Sequence, residues 1–219
     1  MKYIKLFEKV DLSIYDIFAM HPDDARARIF QEIEESETNI EIIQQILDYS
    51  SIDVNASSHG MTPLLKAIGW EKTEVVELLL QHPNIDPNKE DKRQRSPLIW
   101  SCSLYMPDEI TQLLLNHPLI DPNKTTKGNI SPLIFATNNH FEEKVTMLLK
   151  HPLIDPNIQD HNSYTALIYA CSSDYRKIAE AIILHPKTNP FIETEDGHTA
   201  WFYMSDELKE KFPHCKPNN

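Results

Sequence analysis

Four histidines recur at near-constant spacing, and each opens the same corner. His82 begins HPNIDPN at 82–88, His117 and His151 begin HPLIDPN at 117–123 and 151–157, and His185 begins HPKTNPF at 185–191. A ladder of imidazoles raises the question of zinc, whose ligands must converge about 2 Å from one ion. Equivalent residues of stacked helical units lie about 8–10 Å apart, so these four cannot share a metal and no metal site is expected. Cys102 and Cys171 stand two units apart, beyond the reach of a disulfide, and Cys215 beside His214 reads as an inert thiol in a polar tail over 214–219. Only four glycines are present, with no glycine-rich phosphate cradle, no GxSxG, no HExxH and no CxxC. Neither catalysis nor a cofactor is expected, which leaves recognition as the chemistry to place.

The elements that would position such chemistry are set by a second recurring marker. TPLLKAI (62–68), SPLIWSC (96–102), SPLIFAT (131–137), TALIYAC (165–171) and TAWFYMS (199–205) start 34, 35, 34 and 34 residues apart. A fixed period in this range marks a stacked repeat array. Thr62, Ser96, Ser131, Thr165 and Thr199 are natural helix N-caps, and Pro63, Pro97 and Pro132 follow at the first helical position, where a missing N–H costs nothing. Small Ala67, Ser101, Ala136 and Ala170 let a neighbouring helix approach. A second helix follows in each unit, through VVELLL, ITQLLL, KVTMLL and KIAEAIIL, and the His-Pro corner ends it. The histidine is expected to meet the helix's last carbonyls, and Asp-Pro-Asn to open an extended finger, each Asn bonding its own turn.

Helix, turn, helix and β-turn finger, with TPLxxA opening the first helix, resembles the ankyrin repeat, clearly over about 56–205. The resemblance implies an all-α ankyrin-repeat solenoid of helix-turn-helix units with β-turn fingers. Its units run over about 22–55 (degenerate), 56–89, 90–124, 125–158, 159–192 and 193–213 (truncated), so that 22–213 forms the array behind an N-terminal helical cap at 1–21. Leu65, Ile99, Ile134, Ile168 and Phe202 stand where the family usually has His. The finger glycine survives at Gly60 and Gly197 but becomes Gln94, Asn129 and Ser163, of which Gln94 suggests a strained finger. The family likeness further implies Asn55, Asn88, Asn123 and Asn157 as possible sites of asparagine hydroxylation, each with a Leu eight residues before it.

On each first helix the residue four after the cap reads Lys66, Trp100, Phe135, Tyr169 and Tyr203. Stepping 100° per residue puts it opposite the buried arc. Stacked units would line the four aromatics along one side, as cement between units or as the floor of a groove. The basic finger residues Lys92, Arg93, Arg95 and Lys127 would form its rim, whereas later fingers turn acidic through Asp160, Glu193, Glu195 and Asp196. A partner would then present apolar anchors flanked by Asp or Glu.

A net charge of −12, with 12 Asp/Glu against 5 Lys/Arg in residues 1–55, argues against broad nucleic-acid or acidic-membrane binding. No apolar run spans a bilayer, charges interrupt the opening residues, and Cys215 stands too far from the end for a lipidation box, so a cytoplasmic monomer is expected. The leading function is a non-enzymatic adaptor or scaffold that binds a protein or peptide along the concave face. The alternatives are a host-directed pathogen or viral effector or inhibitor using the same surface, and an enzyme with a site hidden in residues 1–55.

Overall fold

Thr62, Ser96, Ser131 and Thr165 each accept, through the side-chain hydroxyl, the amide three residues on at 3.2–3.3 Å, which closes the first turn of a helix. These caps start α3 (Pro63–Gly69), α5 (Pro97–Ser101), α7 (Pro132–Asn138) and α9 (Ala166–Ser172). Thr199 precedes α11 (Ala200–Tyr203) with the same extended backbone but makes no such bond, a departure from the expected cap. The computed structural model describes residues 21–48, 52–103 and 105–217. The N-terminal cap expected over 1–21 therefore falls, apart from His21, outside the described residues. The worn first unit supplies α1 (Pro22–Glu34) and α2 (Ile40–Leu47), the latter capped by Asn39. The second helices are α4 (Thr73–Leu80), α6 (Asp108–Asn116), α8 (Glu142–Leu149) and α10 (Arg176–Ile183), with α12 (Asp206–Lys211) closing the array.

First helices pack on first helices and second on second, giving two layers with one continuous core between them. Ala67, Ser101, Ala136 and Ala170 are fully buried, as close helix approach requires. Leu65, Ile99, Ile134 and Ile168 are at most 2% exposed because the next unit covers them, whereas Phe202, at the same position of the last unit, is 60% exposed. Among the described residues there is no strand, only an isolated bridge between Ser58 and Met61. The polar tail begins later than expected. Pro213–Cys215 forms a 3₁₀ turn and Cys215 is fully buried against the array's end. Burial pushes the Cys102 and Cys171 thiols up to about 12, so both stay protonated at neutral pH.

The corner asparagines do not bond their own turns. Asp53, Asp86, Asp121 and Asp155 do that, each accepting the amide two residues on. The Asn side chains instead cross to the next unit. Asn55, Asn88, Asn123 and Asn157 donate to the carbonyls of Asn84, Leu119, Leu153 and Lys187 at 2.6–2.8 Å. Their Oδ1 atoms accept the amides of Asp86, Asp121, Asp155 and Asn189 at 2.7–2.8 Å. One amide thus supplies two backbone partners at each of the first four unit boundaries, whereas at the last one Asn189 accepts the Phe191 amide of its own turn.

The corner histidines also differ from expectation. Nδ1 of His82, His117, His151 and His185 accepts the amide of Asn84, Leu119, Leu153 and Lys187 at 3.2–3.4 Å, so each caps the following turn rather than meeting the helix behind it. An accepting Nδ1 carries no proton. Burial, then the Lys187 ammonium, which also holds the carbonyls of Pro152 and Ile154, lowers the pKa of His151 and His185 below the ordinary 6.5. A folded-state value below the unfolded one stabilises the protein above pH 6.5, and that contribution is lost as pH falls through the folded value. Urea unfolding followed from pH 7.5 to 5 is therefore expected to show falling stability. The double variant His151→Asn/His185→Asn, with a non-titrating acceptor at each corner, should flatten the slope. An unchanged slope would remove the histidines as its cause.

Candidate binding surface

Five fingers project from the unit boundaries, with Gly60, Gln94, Asn129, Ser163 and Gly197 at their left-handed positions (φ 57–85°). Gln94 keeps the ordinary finger path. The fold tolerates it because, in the second to fifth fingers, a side-chain acceptor five residues before the cap ties the loop. Asp91 Oδ1 accepts the amides of Arg93 and Arg95 at 2.8 and 2.9 Å, and Asp160 Oδ1 those of Asn162 and Tyr164 at 2.9 and 3.0 Å. Thr126 accepts from Gly128 and Ile130, and Thr194 from His198. Gly60 is required twice over, by its φ of +85° and because a Cβ there would lie 2.2 Å from Cγ of Lys92, whose stem crosses from the second finger.

Sequence reasoning counted Asp160 among the acidic finger charges and overlooked the periodic Asp or Thr as a loop tie; Asp160 is in fact buried, and the position decides what the aromatic row can bond. An aspartate has a second oxygen to offer. Asp91 Oδ2 accepts the Trp100 indole N–H at 3.0 Å and Asp160 Oδ2 accepts the Tyr169 hydroxyl at 2.6 Å. Where the finger residue is Thr126, with a single oxygen already committed, the aromatic is Phe135, which has nothing to donate. Where it is Thr194, the Tyr203 hydroxyl pairs instead with that of Tyr164 at 3.2 Å. Trp100, Phe135, Tyr169 and Tyr203 occupy the equivalent position of successive first helices, and all four are half-buried. Tyr164 bridges the last two, with ring centroids 5.2 Å from Tyr169 and 6.0 Å from Tyr203.

The basic residues divide. Arg95 lies over the Trp100 ring at 4.4 Å and pairs with Asp91 at 2.7 Å, and Lys124 pairs with Glu90 at 2.8 Å across fingers. Burial alone would raise the Asp91 carboxyl, but the Arg95 amide and guanidinium, the Arg93 amide and the indole together hold it below its ordinary value. Lys92, Arg93 and Lys127 are exposed at the tips and form no ion pair among the described residues. Along the row, the later fingers are joined by the Asn129 amide to the Gln159 carbonyl, His161 N–H to Gly128 O at 3.2 Å, and Gln159 to Glu193 O at 2.9 Å. A groove between the fourth and fifth fingers is lined by Asn162, Tyr164, Tyr169, Thr194, Glu195 and Asp196. Burial, and then the bond to Asp160, pushes the Tyr169 hydroxyl up to about 12.

Two layers of short helices and a row of coupled fingers define a helical-repeat solenoid. The ankyrin repeat model (three copies) matches residues 34–91 and 98–196. The chain belongs to the ankyrin repeat family, whose arrays generally bind other proteins. It is similar in structure to EF0377, an ankyrin repeat protein, with a TM-score of 0.72 and 21% identity over 90% of this chain and 98% of that one. It is also similar to an ankyrin repeat domain (ABAYE2397) from Acinetobacter baumannii AYE, with a TM-score of 0.68 and 20% identity over 89% and 95%. None of the curated proteins compared with the sequence matches it. Among the described residues, no helix is long and apolar enough to cross a membrane.

Proposed function

We propose that this array is a non-enzymatic adaptor, monomeric and cytoplasmic, that holds a protein or peptide on the face shared by its fingers and first helices. The observation that carries the reading is the set of exposed cations Lys92, Arg93 and Lys127, without an ion pair among the described residues, on adjacent fingers of a chain whose net charge is −12. Phe135 and the half-exposed faces of Tyr169 and Tyr203 supply the apolar floor. Arg95 and Trp100, engaged with each other and with Asp91, fix the second finger's shape. A partner with apolar anchors flanked by Asp or Glu fits this surface, since aromatic contacts give affinity and charge sets orientation and on-rate. Selecting a random dodecapeptide library on the intact protein should enrich such sequences, and the Lys92→Glu/Arg93→Glu/Lys127→Glu variant should bind them at least tenfold more weakly. Equal binding to both proteins would refute the placement. Hydroxylation of Asn55, Asn88, Asn123 or Asn157 is a secondary proposal, best supported at Asn55, which alone follows Val rather than Pro. An intact mass unchanged by the hydroxylase would dispose of it.

A further inference from the structure

The second and fourth fingers are built alike, with one difference. In the second, Asp91 holds its loop, accepts the Trp100 N–H, and is neutralised by Arg95, which stacks on the Trp100 ring at 4.4 Å. In the fourth, Asp160 holds its loop through the same two amides and accepts the Tyr169 hydroxyl, but the residue equivalent to Arg95 is Tyr164. Asp160 is only 8% exposed and has no cation partner among the described residues. The open groove beside it has Tyr164 and Tyr169 as floor and, as its far wall, the exposed Glu195 and Asp196, which form no ion pair among the described residues. We propose that this groove takes an arginine side chain of the bound partner, its guanidinium lying on the tyrosines and pairing with the carboxylates as Arg95 does within the second finger. Planarity and a fork of donors suit a guanidinium to a ring face beside carboxylates, and an ammonium suits it less. The inference rests on the recognition reading above and adds to it. The partner would be dipolar, acidic over the second and third fingers and basic over the fourth and fifth.

The test uses the full chain and the decapeptide (Gly-Arg)₅, with (Gly-Lys)₅ beside it, by fluorescence anisotropy and by two-dimensional NMR of the tyrosine rings. (Gly-Arg)₅ should shift Tyr164 and Tyr169 and bind at least threefold more tightly than (Gly-Lys)₅. Tyr164→Arg, which installs the second finger's own arrangement, should fill the groove and weaken binding at least tenfold. Glu195→Gln/Asp196→Asn, confined to exposed residues and so harmless to folding, should weaken it at least fivefold, while Glu109→Gln on α6 leaves it unchanged. Unaltered binding in both groove variants, an equal loss in Glu109→Gln, or parity of the two peptides would overturn the proposal. Binding of (Gly-Glu)₅ through Lys92, Arg93 and Lys127 is read separately, so a failed arginine groove and a failed interaction surface give different results.

Discussion

Lys144→Ala is expected to lower unfolding stability by about 3 kcal/mol, the cost of a lost buried side chain together with a buried Thr111 hydroxyl and two part-buried carbonyls left without their donor. Lys144 stands on the second helix of its unit where the others carry buried Val75, Ile110 and Ile178. It is itself buried, and its amine donates to the carbonyls of Met106 and Pro107 at 3.1 and 3.2 Å and to the Thr111 hydroxyl at 2.9 Å, and pairs with Asp108 at 2.8 Å. The network continues inward from Thr111 to Ser101, whose hydroxyl bonds the Leu98 carbonyl. Its cause lies in the unit before. That unit is the one with 35 residues, its first helix ends early at Ser101, and the irregular link to α6 leaves backbone carbonyls that a lysine from the next unit satisfies. Lys144→Met keeps the volume but not the donors and should still cost about 1.5 kcal/mol or more. Denaturant unfolding by circular dichroism reads both, and a Met variant as stable as the parent would show that the amine contributes only bulk.

Trp100→Ala is expected to cost about 2–3 kcal/mol of stability, as loss of a large, half-buried ring that also holds the second finger. Trp100→Phe removes the N–H while keeping an aromatic ring, though a smaller one. Asp91 loses one donor and keeps Arg95, so about 1 kcal/mol should go. If the ring positions the finger, the stability losses appear in thermal unfolding and (Gly-Glu)₅ binding weakens through disorder of Lys92 and Arg93. A Trp100→Ala protein as stable as the parent but weaker for peptide would make the ring an anchor in its own right.

What was legible in the sequence was what acts over a few residues. Ser96 reaches Ile99, Pro97 begins the helix, and His117 and Pro118 end the next one. Such contacts are written in spacing alone, so the period, the caps and the recurring aromatic position all follow from it. The contacts that couple units join residues about 30 to 38 apart and leave no local trace. Asn123 and Asp121 are equally able to close their turn, and only the stacked geometry assigns the turn to Asp121 and the next unit's Leu153 to Asn123. KVTMLL reads as an ordinary amphipathic helix until the broken link of the neighbouring unit is seen against Lys144. The basic rim looked uniform because Arg95 and Lys127 carry the same charge, although one is spent on Asp91 and the other is free of ion pairs among the described residues. Cys215 lies past the last repeat marker, where periodicity says nothing about packing.

The central claim is that the face shared by fingers and first helices is where a partner sits. Titrating a library-selected peptide into the isotope-labelled full chain and following backbone and aromatic NMR signals tests it most directly. The expected result is a continuous set of shifts over Lys92, Arg93, Lys127, Phe135 and Tyr169, with the second helices α4, α6 and α8 unmoved. Shifts concentrated on those second helices or on the His-Pro corners, with the finger row silent, would contradict it.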